Sequence, residues 1–237
     1  MMGMGDKRVR GLFLTGTDTD VGKTYVGALI ARRLREAGHR VGVYKPAASG
    51  CRRQGDRLIS DDALQLWEAA GRPGTLAEVC PQCFAAPLAP HLAARAEGRR
   101  LDPQQLRRGL EPWLARSDVV LVEGAGGLLA PLGEEEFVAD LAYDLGYPLV
   151  VVARNVLGTI NHTLQTLFVA SRYRGGLPVA GVVLNHPVPP PPGDFSLPTN
   201  RQELSARADC PILDEVVWQA AGLSPVVDWF GLTRGVA

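Results

Sequence analysis

Apolar residues along the chain gather into short unbroken runs, and stretches of helical period separate them. GLFLTGT (11–17), RVGVYKP (40–46), DVVLVEGAG (118–126), PLVVVA (148–153) and PVAGVVLN (178–185) are apolar almost throughout rather than alternating, as strands buried on both faces are. Between the first two, TYVGALIARRLREAG (24–38) places Val26, Ile30, Leu34 and Ala37 on one stripe, ended by Gly38. Further on, Asp102 and Pro103 read as the cap and first turn of a helix QQLRRGLEPWLAR (104–116). Buried strands alternating with helices predict an α/β fold whose mostly parallel central sheet carries helices on both faces. HPVPPPPGDFSLP (186–198) holds five prolines between 186 and 192 and reads as a loop beside a strand end, not a domain boundary.

Composition narrows the class. At 237 residues and 46% hydrophobic content, one large core and a single domain spanning 1–237 are expected, with 1–8 as a disordered leader. A formal net charge of zero without a basic block points away from nucleic acid and anionic membranes and toward a small-molecule partner. No stretch approaches the roughly 20 apolar residues of a membrane span. Four cysteines (Cys51, Cys80, Cys83, Cys210) do not make a disulfide scaffold, and MMGMGDKR has no apolar run of a signal sequence, so a reduced, cytoplasmic setting is expected.

The candidate chemistry lies at the carboxyl ends of the predicted strands. TGTDTDVGKT (15–24) joins a strand to a helix. A glycine-rich turn there aims backbone amides inward, Lys23 reaches the outer phosphates of a nucleotide and Thr24 offers its hydroxyl to magnesium, although five residues rather than four separate Gly16 from Gly22. DVVLVEGAGG (118–127) delivers Glu123 to a strand end, followed by three glycines, where a carboxylate for magnesium is wanted. Asp62, in ISDDALQL, suits either a ligand or the dipole of a helix start. Of 25 cationic residues only Lys7, Lys23 and Lys45 are lysine, which singles out Lys45 at a strand end. CPQC (80–83) lacks the second ligand pair that a structural zinc site takes.

These motifs, taken in order with YKPAASG (44–50), LGTINHTLQT (157–166) and the asparagine of GVVLN (181–185), give the chain a nearly end-to-end resemblance to the dethiobiotin synthetase family. The resemblance implies a P-loop NTPase-like fold and an ATP- and magnesium-dependent ligase. Its substrates would be 7,8-diaminopelargonate, carbon dioxide and ATP, joined through a carbamate and a carbamic-phosphoric anhydride into a cyclic urea. It implies magnesium on Thr24, Asp62 and Glu123, and nucleotide contacts from Asp20, Val21, Gly22, Lys23, Thr24, Tyr25, Asp62, Glu123, Gly124, Gly126 and Asn185. Lys23 and Lys45 would be catalytic, and Thr19, Lys45 and Ser49 would meet the carbamate or the transferred phosphate. Gly158, Thr159, Ile160 and Asn161, at a helix start, would take the substrate carboxylate from the partner subunit of a homodimer. Residues alone leave Thr159 or Asn161 as a plain helix cap and Asn185 as a turn asparagine. The residue types also admit a partitioning or switch ATPase, which would need a further lysine between 15 and 20, or a non-catalytic nucleotide binder, in which Lys45 and Ser49 would have no use.

Overall fold

The computed structural model describes residues 9–189 and 193–234; the expected leader 1–8 lies outside them. In chain order the elements are β1 (Arg10–Gly16), α1 (Lys23–Glu36), β2 (Val41–Tyr44), β3 (Ala47–Ala48), β4 (Arg52–Gln54), β5 (Arg57–Ile59), α2 (Asp61–Ala69), α3 (Leu76–Val79), β6 (Gln82–Cys83) and α4 (Pro90–Ala96). After them come α5 (Pro103–Arg108), α6 (Glu111–Arg116), β7 (Val119–Gly127), α7 (Val138–Leu145), β8 (Leu149–Arg154), α8 (Thr159–Arg172), β9 (Val179–Asn185), α9 (Leu197–Arg207) and β10 (Ile212–Val216).

The main sheet runs β10-β9-β8-β1-β7-β2, with every pairing parallel. From β1 the chain travels through α1 toward β2, and from β7 through α7 it travels back across β1 to β8. Right-handed crossovers in opposite directions put α1 and α7 on opposite faces, so both sides of the sheet are covered. The expected α/β fold is therefore present. Its core follows from the unbroken apolar runs: Leu12, Phe13 and Leu14 of β1, and Val119, Val120 and Val122 of β7, are all 0% exposed. Each such side chain contributes about 1.5–3 kcal/mol relative to exposure. The direction of travel reverses at β1, so the crevice beyond its carboxyl end is where a ligand is expected.

Several local expectations change. The stripe on α1 holds at Val26, Ile30 and Leu34, but Ala37 is the exposed C-cap, with Gly38 left-handed beyond it. Asp102 does cap α5, accepting from the amides of Gln104 and Gln105. The single helix expected over 104–116 is instead two, α5 and α6. Pro112 has no amide to continue the hydrogen-bond ladder and is accommodated in the first turn of a new helix. The loop expected through 198 ends at 196, because Pro198 likewise sits in the first turn of α9. β10 and the short pairs β3–β6 and β4–β5 were absent from the pattern of long apolar runs.

Candidate functional site

The loop from Gly16 to Gly22 closes around its own lysine. Lys23 opens α1 and turns back so that its ammonium donates to the Asp18 carbonyl at 3.2 Å. Gly16 has no room for a side chain: a Cβ there would stand 2.6 Å from the Asp18 carbonyl and 3.1 Å from the Lys23 Nζ. Gly22 caps the helix at φ 88°, and a Cβ would meet the Asn185 amide at 2.1 Å. The requirement for glycine is thus steric at both ends of the loop and conformational as well at Gly22. Asp20 adopts φ 54°, a left-handed conformation that a short polar side chain tolerates.

Opposite this loop stands β7. It was expected to end near Glu123, yet it continues through the glycines to Gly127. Two steps along β1, Leu14 to Gly16, match four along β7, Glu123 to Gly127, so the strand bulges immediately after Glu123. Glu123 is 1% exposed, accepts from the Thr24 hydroxyl at 2.9 Å and from the Lys45 ammonium at 2.5 Å through Oε1, and leaves Oε2 buried without a partner. Lys45 also pairs with Asp62 Oδ2 at 2.9 Å. Asp62 lies in the first turn of α2, behind the Ser60 cap, so it serves the helix dipole and the site together.

The electrostatics follow from this packing. Burial alone would lower Lys45, but the carboxylates of Glu123 and Asp62 outweigh it and hold the ammonium above its ordinary range. For Lys23 burial prevails, aided by Lys45, and its pKa is lowered despite Glu123 and Asp62. Burial would raise Asp62, yet the charge and hydrogen bond of Lys45 bring it below its ordinary value.

A cleft of about 490 Å³ gathers Thr19, Asp20, Gly22, Lys23, Thr24, Tyr25, Lys45, Ser49, Asp62, Glu123 and Gly126, so most of the predicted residues meet in one place. An adjoining cavity of about 480 Å³ shares Thr19 and Gly126 with it and is lined on its far side by His162, Gln165 and Thr166 of α8. Gln65 also lines the first cleft and was missed, although its position three residues after Asp62 puts it on the same face of α2. The remaining predicted residues lie apart. Val21 is buried, and Gly124 packs against Val138 and Phe13. Asn185, 0% exposed, donates to the Val21 carbonyl at 2.8 Å while its Oδ1 is buried without a partner. Beside it His186 meets Glu215 of β10 at 3.0 Å.

Gly158 to Asn161 border neither cavity; they form the start of α8, preceded by a fully outward Leu157 at 84% exposure. Neither Thr159 nor Asn161 caps it. Gly158 is the cap residue at φ 96°, the Thr159 hydroxyl is buried without a partner, and Asn161 Oδ1 accepts from Gln165 instead.

A family model described as an AAA domain matches residues 10–222. The ATP-dependent dethiobiotin synthetase of Rhodopirellula baltica is 42% identical over 86% of this chain and 82% of its own. That of Anaeromyxobacter dehalogenans is 48% identical over 83% and 85%. The chain belongs to the dethiobiotin synthetase family. Members of this family are ATP-dependent ligases, and the chain spans most of the length of those it matches. Among solved structures, the cell division ATPase MinD of Pyrococcus furiosus aligns with a TM-score of 0.55 at 15% identity over 87% of this chain and 82% of its own. A ParA family ATPase of Chlorobium tepidum gives 0.54 at 13% over 90% and 86%. At such identities the likeness is one of fold, a P-loop NTPase fold.

Proposed function

We propose that the chain condenses 7,8-diaminopelargonate with carbon dioxide at the expense of ATP, through a carbamate and a carbamic-phosphoric anhydride that the second amine closes to the cyclic urea, dethiobiotin. The observation that carries this reading is Lys45, which stands within hydrogen-bond reach of Glu123 and Asp62 across from the phosphate loop. A bare nucleotide binder needs no such cation, and a carbamate that is phosphorylated and then attacked does.

Thr24, Asp62 and Glu123 fit a magnesium ion: all three donate oxygen, and the buried, unpartnered Glu123 Oε2 is a ligand atom without another task. Held by these residues, magnesium would supply positive charge that offsets the charge developing on the transferred phosphate. The Lys45 ammonium is the present counter-charge of the two carboxylates, a role that a bound magnesium ion would supply. On its four-carbon stem the Lys45 ammonium can turn toward the carbamate and follow the negative charge from carbamate to anhydride. Lys23 and the amides near Gly22 hold the terminal phosphates, with Thr19 and Ser49 at the group in transfer. Asn185, with an unpaired carbonyl oxygen, has an acceptor for the exocyclic amine of adenine.

The active form is a homodimer in this reading. The first-turn amides of α8 lie away from their own chain's cavities and would reach the diamine's carboxylate in the neighbouring subunit's site. Among the described residues no helix is long and apolar enough to cross a membrane. The deciding assay is formation of the cyclic urea by purified protein with ATP, magnesium, the diamine and bicarbonate. ATP turnover that needs neither diamine nor bicarbonate would favour a switch ATPase instead.

A further inference from the structure

Apart from the site, three of the four cysteines converge on one point. Cys80 and Cys83 bring their sulfurs to 3.6 Å, and Cys51 lies beside Cys83 with its thiol donating to the Ala48 carbonyl at 3.5 Å. Cys80 and Cys83 line a cavity of about 530 Å³ with Arg53, Arg57 and Arg99 on its walls, while Cys51 does not reach it. Two thiols with a third behind them fall short of the four donors of a structural zinc site. Two thiols in contact beside an open cavity do suit two-electron oxidation.

The pair is also wired to the site. Val79, just before it, accepts the Lys45 amide at 2.8 Å, and Phe84, just after it, donates to the Ala48 carbonyl at 2.9 Å. Between them β6 pairs with β3, Ala47 opposite Gln82 and Ala48 opposite Cys83. Ser60, the cap of the helix that carries Asp62, lines the same cavity as Cys80 and Cys83. The CPQC turn is therefore held at both ends by the segment bearing Lys45 and Ser49 and shares its cavity with the cap of α2.

We propose that Cys80 and Cys83 form a reversible disulfide with small-molecule disulfides entering this cavity, and that its closure lowers ligase activity by shifting the Lys45–Ser49 segment. Cys83 gives up its proton and its sulfur attacks one sulfur of the incoming disulfide. The other half leaves as a thiolate and takes up a proton. Cys80 then attacks the Cys83 sulfur of the mixed disulfide, and the second half leaves as a thiol with the Cys80 proton. The dithiol loses two electrons and the incoming disulfide becomes two thiols, so atoms and charge balance. Closure draws the sulfurs from contact to about 2.05 Å, a movement of the scale that can cost about a hundredfold in rate when it reaches reacting groups.

The thiols' surroundings set the pace. The Cys51 contact favours a Cys83 thiolate, but the hydrogen bond to Cys80 and burial prevail and Cys83 is pushed up to about 12. With Cys83 held as a thiol, attack is slow at neutral pH.

The test incubates the purified full chain with glutathione disulfide. Non-reducing peptide mapping by mass spectrometry locates the link, and urea formation is followed before and after dithiothreitol. The expected result is a Cys80–Cys83 link, a rate loss of about tenfold or more and recovery on reduction. Cys80→Ser and Cys83→Ser should each keep the reduced rate and lose the sensitivity. A link from Cys51, no link, a link without rate loss, or equal inhibition of a folded Cys83→Ser chain would each overturn the proposal. The mapping of the unaltered chain stands even where a variant fails to fold.

Discussion

Replacing Lys45 by methionine removes the one cation that, among the described residues, is in hydrogen-bond contact with both Glu123 and Asp62, while keeping the volume of the side chain. Glu123 is 1% exposed and would retain only the Thr24 hydroxyl, so its charge is left uncompensated in the interior. Breaking a buried pair in this way costs about 3–5 kcal/mol. Lys23 remains close enough to favour both carboxylates, and the Asp62 side chain is 52% exposed and screened, so the lower end, about 3 kcal/mol, is expected. The pH dependence follows from the directions of the shifts. Asp62 is depressed below its ordinary 3.8, so its contribution is present above that value and is lost as pH falls through the folded pKa. Lys45 is raised above 10.5, so its contribution is complete below 10.5 and is lost as pH rises through the folded pKa. The deficit of the variant should therefore be flat from about pH 5 to 10 and shrink at acid pH. Urea denaturation of both proteins at pH 7 and at about pH 3, below the ordinary Asp62 value, measures it. Millimolar magnesium should also stabilise the variant more than the parent, since the carboxylates no longer hold a competing ammonium. A deficit under about 1 kcal/mol at pH 7, or one that grows in acid, refutes the reasoning.

Lys23→Ala and Thr24→Val should each abolish urea formation, the first by loss of nucleotide binding and the second by loss of magnesium, and normal turnover in either removes the phosphate-loop assignment. Lys45→Arg should leave ATP affinity nearly unchanged, as measured by calorimetry, but slow urea formation about a hundredfold; a normal rate would make Lys45 a generic cation. Mixing inactive Lys23→Ala and Asn161→Asp chains should restore part of the activity if α8 serves the neighbouring site, and no recovery despite subunit exchange counts against shared sites.

The fold could be read from the chain because the five long strands are buried on both faces, and unbroken apolar runs are the direct trace of that burial. β10 escaped because ILDEV alternates, with Leu213 and Glu215 half-buried, and its pairing depends on β9 rather than on its own composition. The split between α5 and α6 was signalled by Pro112 and overridden by the helical period around it. At the site, Lys23, Thr24, Asp62 and Glu123 were legible as residue types at strand ends and helix starts. The Lys45 bridge was not, since residues 22, 17 and 61 positions apart meet only when α1, α2, β2 and β7 pack. The bulge after Glu123 was hidden for a related reason: glycines in a row announce a turn, and only the register with β1 makes them strand.

One contact joins the proposed base-binding residue to the phosphate loop. The amide of Asn185, at the tip of β9, donates to the Val21 carbonyl inside the phosphate loop and fills the space in front of Gly22. Asn185 is thus a strut as well as the proposed reader of the base, and shortening it would loosen the loop whatever base is bound. Discrimination between nucleotides therefore cannot be separated from grip on their phosphates by truncating this side chain. Triphosphates differing only in the base would lose affinity together in such a variant, and the base preference has to be sought in groups that leave the strut in place.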